Sequence, residues 1–373
     1  MIIALCIYKY FPFGGLQRDF MRIAQTVADH GHYIRIYTYY WHGICPINFE
    51  LIQVPVKAYT NHSRNNQYFL WVQSHLKQYP VDRIIGFNKM PNLDIYYAGD
   101  ICYAEKIENK KNFLYKLTKR YKHYLSFEKA TFAMGTKTKL LMLTNKQIVD
   151  FKKHYSTESE RFFILPPSIS LDRKYSQHSP NARNIYRKKN GINENDYLVL
   201  QVGSDFTRKG VDRTIIAFAA LPNNIRCKSV LFIVGQDNNK HYKKLVRKLS
   251  GKLNIYLFLG RYDVSELMIA ADILLHPAYQ EAAGIVLIEA IALGLPVITT
   301  SICGYAHYIN KACCGIVIQE PYKQHILNDE LYKSLINCHL RKIWASNAKY
   351  FANIQNFFSV PKKIIDIIES NIH

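Results

Sequence analysis

Residues 276–296 read HPAYQEAAGIVLIEAIALGLP, a stretch that predicts a loop between a buried strand, Ile273–His276, and an apolar helix. Gly284 precedes the helix and lets a phosphate approach the helix amides closely. Glu281 and Glu289 are separated by seven residues. The loop glutamate is suited to hydrogen-bond sugar hydroxyls, and the helix glutamate can accept from the ribose hydroxyls of a nucleotide. A carboxylate inside an apolar helix needs a partner to offset its burial, which favours a binding role for Glu289.

A second loop in the same half of the chain carries two adjacent cations. The strand predicted at Tyr197–Gly203 runs into Ser204–Gly210, so Arg208 and Lys209 follow the carboxyl end of a strand, where doubly wound folds bind ligands. Arginine can hold two phosphate oxygens while lysine adds a point charge, and together they can neutralise a departing diphosphate. A merely solvated Arg-Lys pair is the alternative.

The beginning of the chain has a related pattern. A strand predicted at Ile2–Tyr8 leads to Gly14-Gly15 and then to a helix with apolar residues at helical spacing. Such a turn lets backbone amides contact a phosphate or sugar, although a tight turn without a ligand looks the same. Asp19 is expected in the first helical turn, where a carboxylate also stabilises the helix dipole.

Strand-like runs alternate with helical patterns along nearly the whole chain, which predicts an α/β protein with two doubly wound, Rossmann-like domains. We place the boundary near residue 170, because residues 166–168 and 176–184 lack a strand or helix period. The domains are then 1–170 and 171–355, and a terminal helix within 356–373 returns to the first. The predicted strands are Ile2–Tyr8, Tyr33–Thr38, Arg83–Phe87, Lys139–Thr144, Phe162–Leu165, Tyr197–Val202, Val230–Val234, Ile255–Leu259, Ile273–His276, Pro296–Thr299 and Ile316–Ile318.

The chain is strongly basic: 49 Lys and Arg against 28 Asp and Glu give a net charge of +21, which implies a phosphate-bearing partner. The charge is spread over both halves and no nucleic-acid-binding motif is present, so no nucleic-acid partner is expected. Met1–Tyr8 is too short for a signal peptide, and Ala282–Thr299 is interrupted by Glu289, Gly294 and Pro296, so no membrane span is expected. The cysteines form no C-x-x-C pair, which gives no indication of a zinc site.

Together these motifs resemble the retaining family 4 glycosyltransferases of the GT-B fold. The resemblance rests on the Glu-x7-Glu pattern of Glu281 and Glu289, the Arg208-Lys209-Gly210 loop and the Gly14-Gly15 turn. More narrowly, residues 9–22, 86–91, 201–212 and 276–296 resemble the glucosyltransferases of the lipopolysaccharide core, and the similarity covers essentially the entire chain. It implies two domains facing a central cleft, and transfer of glucose from UDP-glucose to heptose II of a lipid-linked inner core in an α-1,3 linkage.

The resemblance also implies the roles of individual residues. Arg208 and Lys209 hold the diphosphate, Glu281 contacts the glucose and Glu289 contacts the ribose. Gly14 and Gly15 border the diphosphate and sugar, Arg173 resembles a further phosphate contact, and Ala282, Gly284, Ile285 and Val286 complete the expected donor-binding set.

A departing diphosphate needs either a divalent metal or fixed cations and helix dipoles. The sequence has no Asp-x-Asp triplet, so we expect Arg208, Lys209 and the following helix N-terminus to take that role, with no metal and no cofactor. The departing phosphate oxygen can accept the proton of the acceptor hydroxyl on the face of the sugar that the nucleotide leaves. This favours a mechanism in which the acceptor attacks that same face. A covalent enzyme intermediate is the alternative, and the sequence does not exclude it. Asp19 and Asp100 are candidate acids on the acceptor side, and Asn88–Pro91 is a candidate acceptor contact.

Residues 103–132 form a basic segment, with eight Lys or Arg against three Glu, a net charge of +5, and seven interleaved aromatic residues. From Phe113 onward the apolar residues repeat at helical spacing, which predicts an interfacial helix that binds anionic inner-membrane lipids. The protein is then cytoplasmic and peripheral on the cytoplasmic face of that membrane. An ordinary core-packed helix is the alternative. The basic residues are Lys106, Lys110, Lys111, Lys116, Lys119, Arg120, Lys122 and Lys129.

Two alternatives remain open for the activity. The identity of the donor sugar rests on resemblance, because galactose or N-acetylglucosamine would use much the same diphosphate contacts. A two-domain sugar-nucleotide epimerase is the nearest different activity, and product analysis with and without an acceptor separates it from a transferase.

Overall fold

The computed structural model describes residues 1–108, 113–179, 181–249, 253–359 and 362–370. The chain divides into two compact units, Met1–Pro166 with Val360–His373, and Pro167–Ser359. The division thus falls slightly before the expected boundary at residue 170, and the return to the first unit falls slightly after residue 356.

The first unit contains a seven-stranded sheet whose neighbouring strands are all parallel, in the order β5-β3-β1-β6-β7-β8-β9. A separate two-stranded sheet pairs β2 with β4. The sequence did not indicate β5, β7 or this small sheet. The strands are β1 Ile2–Cys6, β2 Lys9–Tyr10, β3 Tyr33–Thr38, β4 Tyr40–Trp41, β5 Phe49–Gln53, β6 Arg83–Gly86, β7 Ile95–Tyr97, β8 Lys139–Met142 and β9 Phe162–Ile164.

Helices occupy four of the connections between strands of the large sheet, whereas in the described chain β3 and β5, and β6 and β7, are joined without a helix. The first of them buries Phe20, Ile23 and Val27, three of the residues at helical spacing in the sequence. The helices are α1 Gly15–Asp29, α2 Asn61–Gln78, α3 Tyr103–Glu108, α4 Phe113–Lys116, α5 Lys119–Phe132 and α6 Asn145–Tyr155.

The second unit contains a six-stranded parallel sheet in the order β12-β11-β10-β13-β14-β15. Every strand predicted for this half overlaps one of these strands, because each is a run of mainly apolar residues with a clear boundary. The strands are β10 Tyr197–Val202, β11 Ser229–Val234, β12 Ile255–Phe258, β13 Ile273–His276, β14 Val297–Thr300 and β15 Gly315–Ile318.

One helix of this unit, α12, is apolar on all sides and is buried except at its first residue. Glu289 is the charged residue of this helix. The helices are α7 Ala182–Lys189, α8 Val211–Ala219, α9 Asn223–Arg226, α10 Lys240–Lys248, α11 Val264–Ala270, α12 Ile285–Leu293, α13 Ala306–Lys311, α14 Gln324–Ile336 and α15 Cys338–Gln355.

The last helix, α16 Lys362–Glu369, belongs to the first unit. Its residues Ile364, Ile365, Ile367 and Ile368 join the core formed around β1 and α1. The sequence predicts a longer helix, Val360–Ile372, but 360–361 and 371–373 lie outside the described residues. Among the described helices, none combines the length and hydropathy needed to span a bilayer.

Candidate active site

The loop between β10 and α8 carries Arg208, Lys209 and Gly210. Gly210 precedes the helix with a φ of 69°, in the left-handed region that favours glycine. A Cβ atom there would lie 2.1 Å from the carbonyl oxygen of Pro277, which belongs to the loop after β13. A glycine is therefore required for the two loops to approach each other.

The loop between β13 and α12 carries Glu281 and ends at Gly284, which has a φ of 88°. Backbone hydrogen bonds tie this loop to the other one, because the amide nitrogen of Tyr279 lies 2.9 Å from the carbonyl oxygen of Arg208. Both loops follow the carboxyl ends of adjacent parallel strands, β10 and β13. This is the edge where the sequence predicted the site.

Side chains from the two loops converge on the Glu281 carboxylate, which is 8% exposed. The Lys209 ammonium donates to its Oε2 atom. The Arg208 Nη1 atom lies 3.4 Å from Oε1, and Arg208 Nε also donates to Asp205 Oδ2 at 3.1 Å. His276, at the end of β13, has its Nε2 atom 3.4 Å from Oε2. The structure thus brings the predicted residues Arg208, Lys209 and Glu281 into one cluster.

Burial shapes the charges of this cluster. Burial and the neighbouring Arg208 guanidinium lower the pKa of Lys209 from its ordinary value to about 7. Burial, with the Lys209 and Arg208 charges, lowers the pKa of His276 well below its ordinary value. His276 is therefore neutral at pH 7, and a proton on Nε2 lets it donate to the Glu281 carboxylate.

Glu289, inside α12, is 3% exposed and pairs with Arg173, whose Nε atom lies 3.4 Å from Glu289 Oε1. Arg173 Nη1 also donates to the Ser265 hydroxyl, which donates to Asp172 Oδ2 at 3.0 Å. The partner that sequence reasoning required for a buried carboxylate is thus Arg173. The predicted contacts of Arg173 with phosphate and of Glu289 with ribose stay predictions.

Three of the predicted donor-binding residues lie at the N-terminus of α12: Ala282, Ile285 and Val286. Ile285 and Val286 are the first and second residues of the helix, where backbone amides lack intrahelical acceptors. Ala282 and Val286 are buried. The second unit can therefore offer an anion both side-chain cations and helix amides.

In the first unit, helix α1 begins at Gly15, and Gly14 is its N-cap. A Cβ atom at Gly14 would lie 1.9 Å from Gln17 Oε1, so a larger residue would displace that side chain. Asp19 is the fifth residue of the helix, and the first turn holds no acidic residue, so the expected position in that turn is wrong. We expected the helix to begin after the glycine pair, whereas it begins at Gly15, one residue earlier.

The two candidate acids of the first unit differ in their surroundings. Asp19 is buried and accepts from the Tyr97 hydroxyl at 2.7 Å and from Arg22 Nη2 at 2.6 Å. Asp100 is exposed and follows β7, and its carbonyl oxygen accepts from Gln147 Nε2 at 3.1 Å. Asp19 is thus held by two donors, whereas the Asp100 carboxylate faces solvent.

Within Asn88–Pro91, Lys89 has a structural partner. Its Nζ atom lies 2.5 Å from an oxygen of Glu128, a fully buried residue of α5. The same carboxylate accepts from the amides of Tyr103 and Ala104 at 2.7 and 2.9 Å. Lys89 therefore anchors the basic segment 103–132 on the sheet. Because its ammonium is already paired with Glu128, the predicted contact of Lys89 with an acceptor is left without support.

The helix predicted from Phe113 onward is not continuous, contrary to the prediction. Thr118 interrupts it, because its hydroxyl accepts from the Tyr121 amide at 3.2 Å and caps α5. Leu114 and Leu117 are 72% and 58% exposed, so these two predicted apolar-face residues are not packed in a core. The residues Lys116, Lys119, Arg120 and Lys122 are exposed, whereas Lys110 and Lys111 lie outside the described residues.

Known proteins show strong similarity to this chain. The family described as glycosyl transferases group 1 matches residues 182–351. Lipopolysaccharide glucosyltransferase WaaG of Escherichia coli (strain K12) is 61% identical over 372 residues, covering 100% of both chains. The chain belongs to the WaaG family of glycosyltransferases.

Solved structures agree with this family membership. A crystal structure of WaaG, a glycosyltransferase involved in lipopolysaccharide biosynthesis, has a TM-score of 0.97 at 61% identity, covering 99% of this chain and 100% of that chain. The Anabaena protein Alr3699/HepE in complex with UDP and glucose has a TM-score of 0.76 at 16% identity, with 100% of both chains covered, which shows the fold alone. The predicted GT-B fold and glycosyltransferase class are confirmed.

Sequence reasoning missed two members of this glycosyltransferase's cluster. His276 is the last residue of the buried strand β13 and follows the aliphatic residues Ile273–Leu275. The sequence gives no sign of which loop side chain this histidine faces. Asp205 is three residues before Arg208, in a loop whose backbone the sequence does not define, with a φ of 63°. A polar residue at the end of a central strand was the signal that could have indicated His276.

Proposed function

We propose that this glycosyltransferase transfers glucose from UDP-glucose to heptose II of the lipopolysaccharide inner core, forming an α-1,3 linkage with retention. The observation that carries the proposal is the convergence of Arg208 and Lys209 on Glu281 at the sheet edge. The 61%-identical relative named as a lipopolysaccharide glucosyltransferase supports the choice of sugar and acceptor.

The donor diphosphate binds Arg208, Lys209 and the amides at the start of α12. When it binds, the Lys209 ammonium turns from Glu281 to a phosphate oxygen, and the released carboxylate accepts hydrogen bonds from the sugar hydroxyls. Neutral His276 continues to donate to the carboxylate. Fixed cations and helix amides supply the charge stabilisation, so the reaction requires no divalent metal.

The nucleoside part binds near Glu289, whose carboxylate accepts from the two ribose hydroxyls. Arg173 supports this role, because its guanidinium lies beside the buried carboxylate and offsets the burial of that charge. Gly14 and Gly15 are further candidate contacts of the diphosphate and sugar.

In the chemical step, the bond between the anomeric carbon and the β-phosphate oxygen breaks as the O3 hydroxyl of the heptose approaches the same face. The hydroxyl oxygen forms the new bond to the anomeric carbon, and its proton passes to the departing phosphate oxygen. Lys209 and Arg208 stabilise the negative charge on the leaving group as it develops. No protein nucleophile is required.

On the acceptor side, the exposed Asp100 is the better candidate for direct contact with the heptose. Asp19 already accepts from Tyr97 and Arg22, so its role is to hold α1 and the end of β7 in place. The acceptor is lipid-linked, and the enzyme reaches it as a peripheral protein on the cytoplasmic face of the inner membrane. Exposed Leu114 and Leu117, beside the exposed cations of residues 116–122, support binding to anionic lipids there.

The test is to incubate the protein with UDP-glucose, UDP-galactose or UDP-N-acetylglucosamine and a heptose-containing core acceptor, and to identify the linkage formed. An α-1,3-glucoside from UDP-glucose alone is the expected product. A product from another UDP-hexose would change the donor assignment. Conversion of the UDP-sugar to an epimer without acceptor would replace the transferase with the epimerase alternative.

A further inference from the structure

Arg213 lies beside the cluster without being one of its predicted members. It is in the first turn of α8, a few residues after the Arg208–Lys209 loop. Its guanidinium is sandwiched between the rings of Tyr279 and Tyr322, 3.6 Å from each ring centroid. Both faces of the planar cation are therefore covered by aromatic rings, an arrangement that favours arginine over lysine.

The edge of the same guanidinium contacts the loop that carries Glu281. Arg213 Nη1 donates to the carbonyl oxygens of Pro277 and Ala278, at 3.3 and 3.2 Å. These two residues begin the loop that leads to Glu281. Arg213 thus links the helix that follows the cationic loop to the backbone of the loop that carries the carboxylate.

Tyr279 strengthens this link from the other side. Its hydroxyl donates to Asp212 Oδ2 at 2.7 Å, and its amide donates to the carbonyl oxygen of Arg208 at 2.9 Å. Farther along the chain, Gln324 Nε2 donates to the carbonyl oxygen of Arg213 at 3.0 Å, and the Tyr322 hydroxyl donates to Gln324 Oε1 at 2.7 Å. The guanidinium is therefore held in one place and cannot move without disturbing the Glu281 loop.

We propose that Arg213 is a positioning residue that fixes Glu281 relative to Arg208 and Lys209. The inference rests on the proposed role of Glu281 as the carboxylate that contacts the transferred sugar. Arg213 keeps the carboxylate where it can turn to the sugar as the diphosphate binds the cations. Displacement of a catalytic group by about 1 Å can cost on the order of a hundredfold in rate, so the effect of losing this support falls on turnover.

The test compares Arg213→Lys with the parent in kcat, donor KM and thermal midpoint. Lysine keeps the charge but cannot cover both rings or donate in the same plane. We expect kcat to fall about tenfold, with a smaller rise in donor KM, because the diphosphate cations are unchanged. The matched control is Arg226→Lys, since Arg226 Nη1 also donates to a carbonyl oxygen, that of Ala219 at 2.9 Å, away from both loops. The control should leave kcat unchanged.

A second measurement separates positioning from general stability. If Arg213 acts through Glu281, then Arg213→Lys lowers kcat in the parent but has no further effect in a Glu281→Ala background. A full additional loss in that background, or a normal kcat for Arg213→Lys, would overturn the inference. A lowered thermal midpoint with unchanged kcat would also overturn it. If Glu281→Ala itself were fully active, the proposed site, rather than the role of Arg213 alone, would be wrong.

Discussion

Lys209 and Glu281 are joined directly, with the lysine ammonium donating to the glutamate Oε2 atom. They belong to loops that follow two adjacent parallel strands, so the sheet itself sets their separation. Each charge offsets the burial of the other. In the proposed mechanism a diphosphate takes the ammonium, so the pair keeps the cation for the leaving group beside the carboxylate for the sugar.

Lys209→Ala and Glu281→Ala should each lower turnover by at least about a hundredfold, the scale expected when a transition-state charge contact is lost. Steady-state assays at saturating donor measure this, and circular dichroism checks the fold. Lys333→Ala is the control, because that lysine is exposed on the same unit. Near-normal turnover in either folded active-site variant would show that the residue has been assigned wrongly.

Donor affinity should fall as the pH rises above about 7. With its pKa lowered to about 7, Lys209 loses its charge above that pH in the donor-free protein, whereas the bound diphosphate favours the charged form. UDP-glucose binding then takes up a proton at pH 8, and affinity falls up to about tenfold per pH unit until the pKa of the complex is reached. Calorimetry in buffers of different ionisation enthalpy measures the proton uptake. Lys209→Arg stays charged and should abolish it, and uptake that persists in this variant would point to another group.

Chelation of divalent ions should leave activity largely intact, because the cations assigned to the diphosphate are side chains. The measurement is the rate of glucose transfer after dialysis against EDTA, with and without added magnesium or manganese. Loss of activity on chelation, with recovery on adding either ion, would contradict a metal-free mechanism.

Neutralising Lys116, Lys119, Arg120 and Lys122 together should reduce sedimentation with anionic vesicles and leave UDP-glucose affinity unchanged. Attraction to anionic headgroups should also weaken with salt, since the screening length is about 10 Å at 0.1 M and shorter above it. Neutral vesicles should bind little of either protein.

The control for this experiment is neutralisation of four exposed lysines on α10 of the second unit, Lys240, Lys243, Lys244 and Lys248. It removes the same charge at a different place. Equal loss of vesicle binding in both variants would mean that net charge alone drives attachment, and unchanged binding in the first variant would remove the basic segment from the membrane contact.

The second unit could be predicted from sequence more completely than the first. Its strands are runs of mainly apolar residues bounded by loops, and its glycines Gly210 and Gly284 stand where the helices begin with positive φ. In the first unit, the sequence did not indicate β5 or β7, and the apolar residues keep helical spacing on both sides of the Thr118 cap. Periodicity does not register a single capping residue.

The site could be predicted residue by residue but not as a set of contacts. Spacing indicated Glu281, Glu289, Arg208 and Lys209, because each lies just beyond a strand or just inside a helix. It gave no sign that Arg173 pairs with Glu289, since the two residues are far apart in the chain and meet only through packing of α12 on the 3-10 turn Leu171–Arg173. Long-range pairs of this kind depend on tertiary structure that a local pattern does not contain.

The isoleucines of α16 complete the core of the first unit although they lie at the opposite end of the chain. During synthesis, therefore, the ribosome has to pass residue 369 before the amino-terminal core can close. The second unit is one continuous stretch and needs no later residues. It can fold while the first still lacks a helix, so the usual amino-to-carboxyl order of domain folding is reversed for the final step.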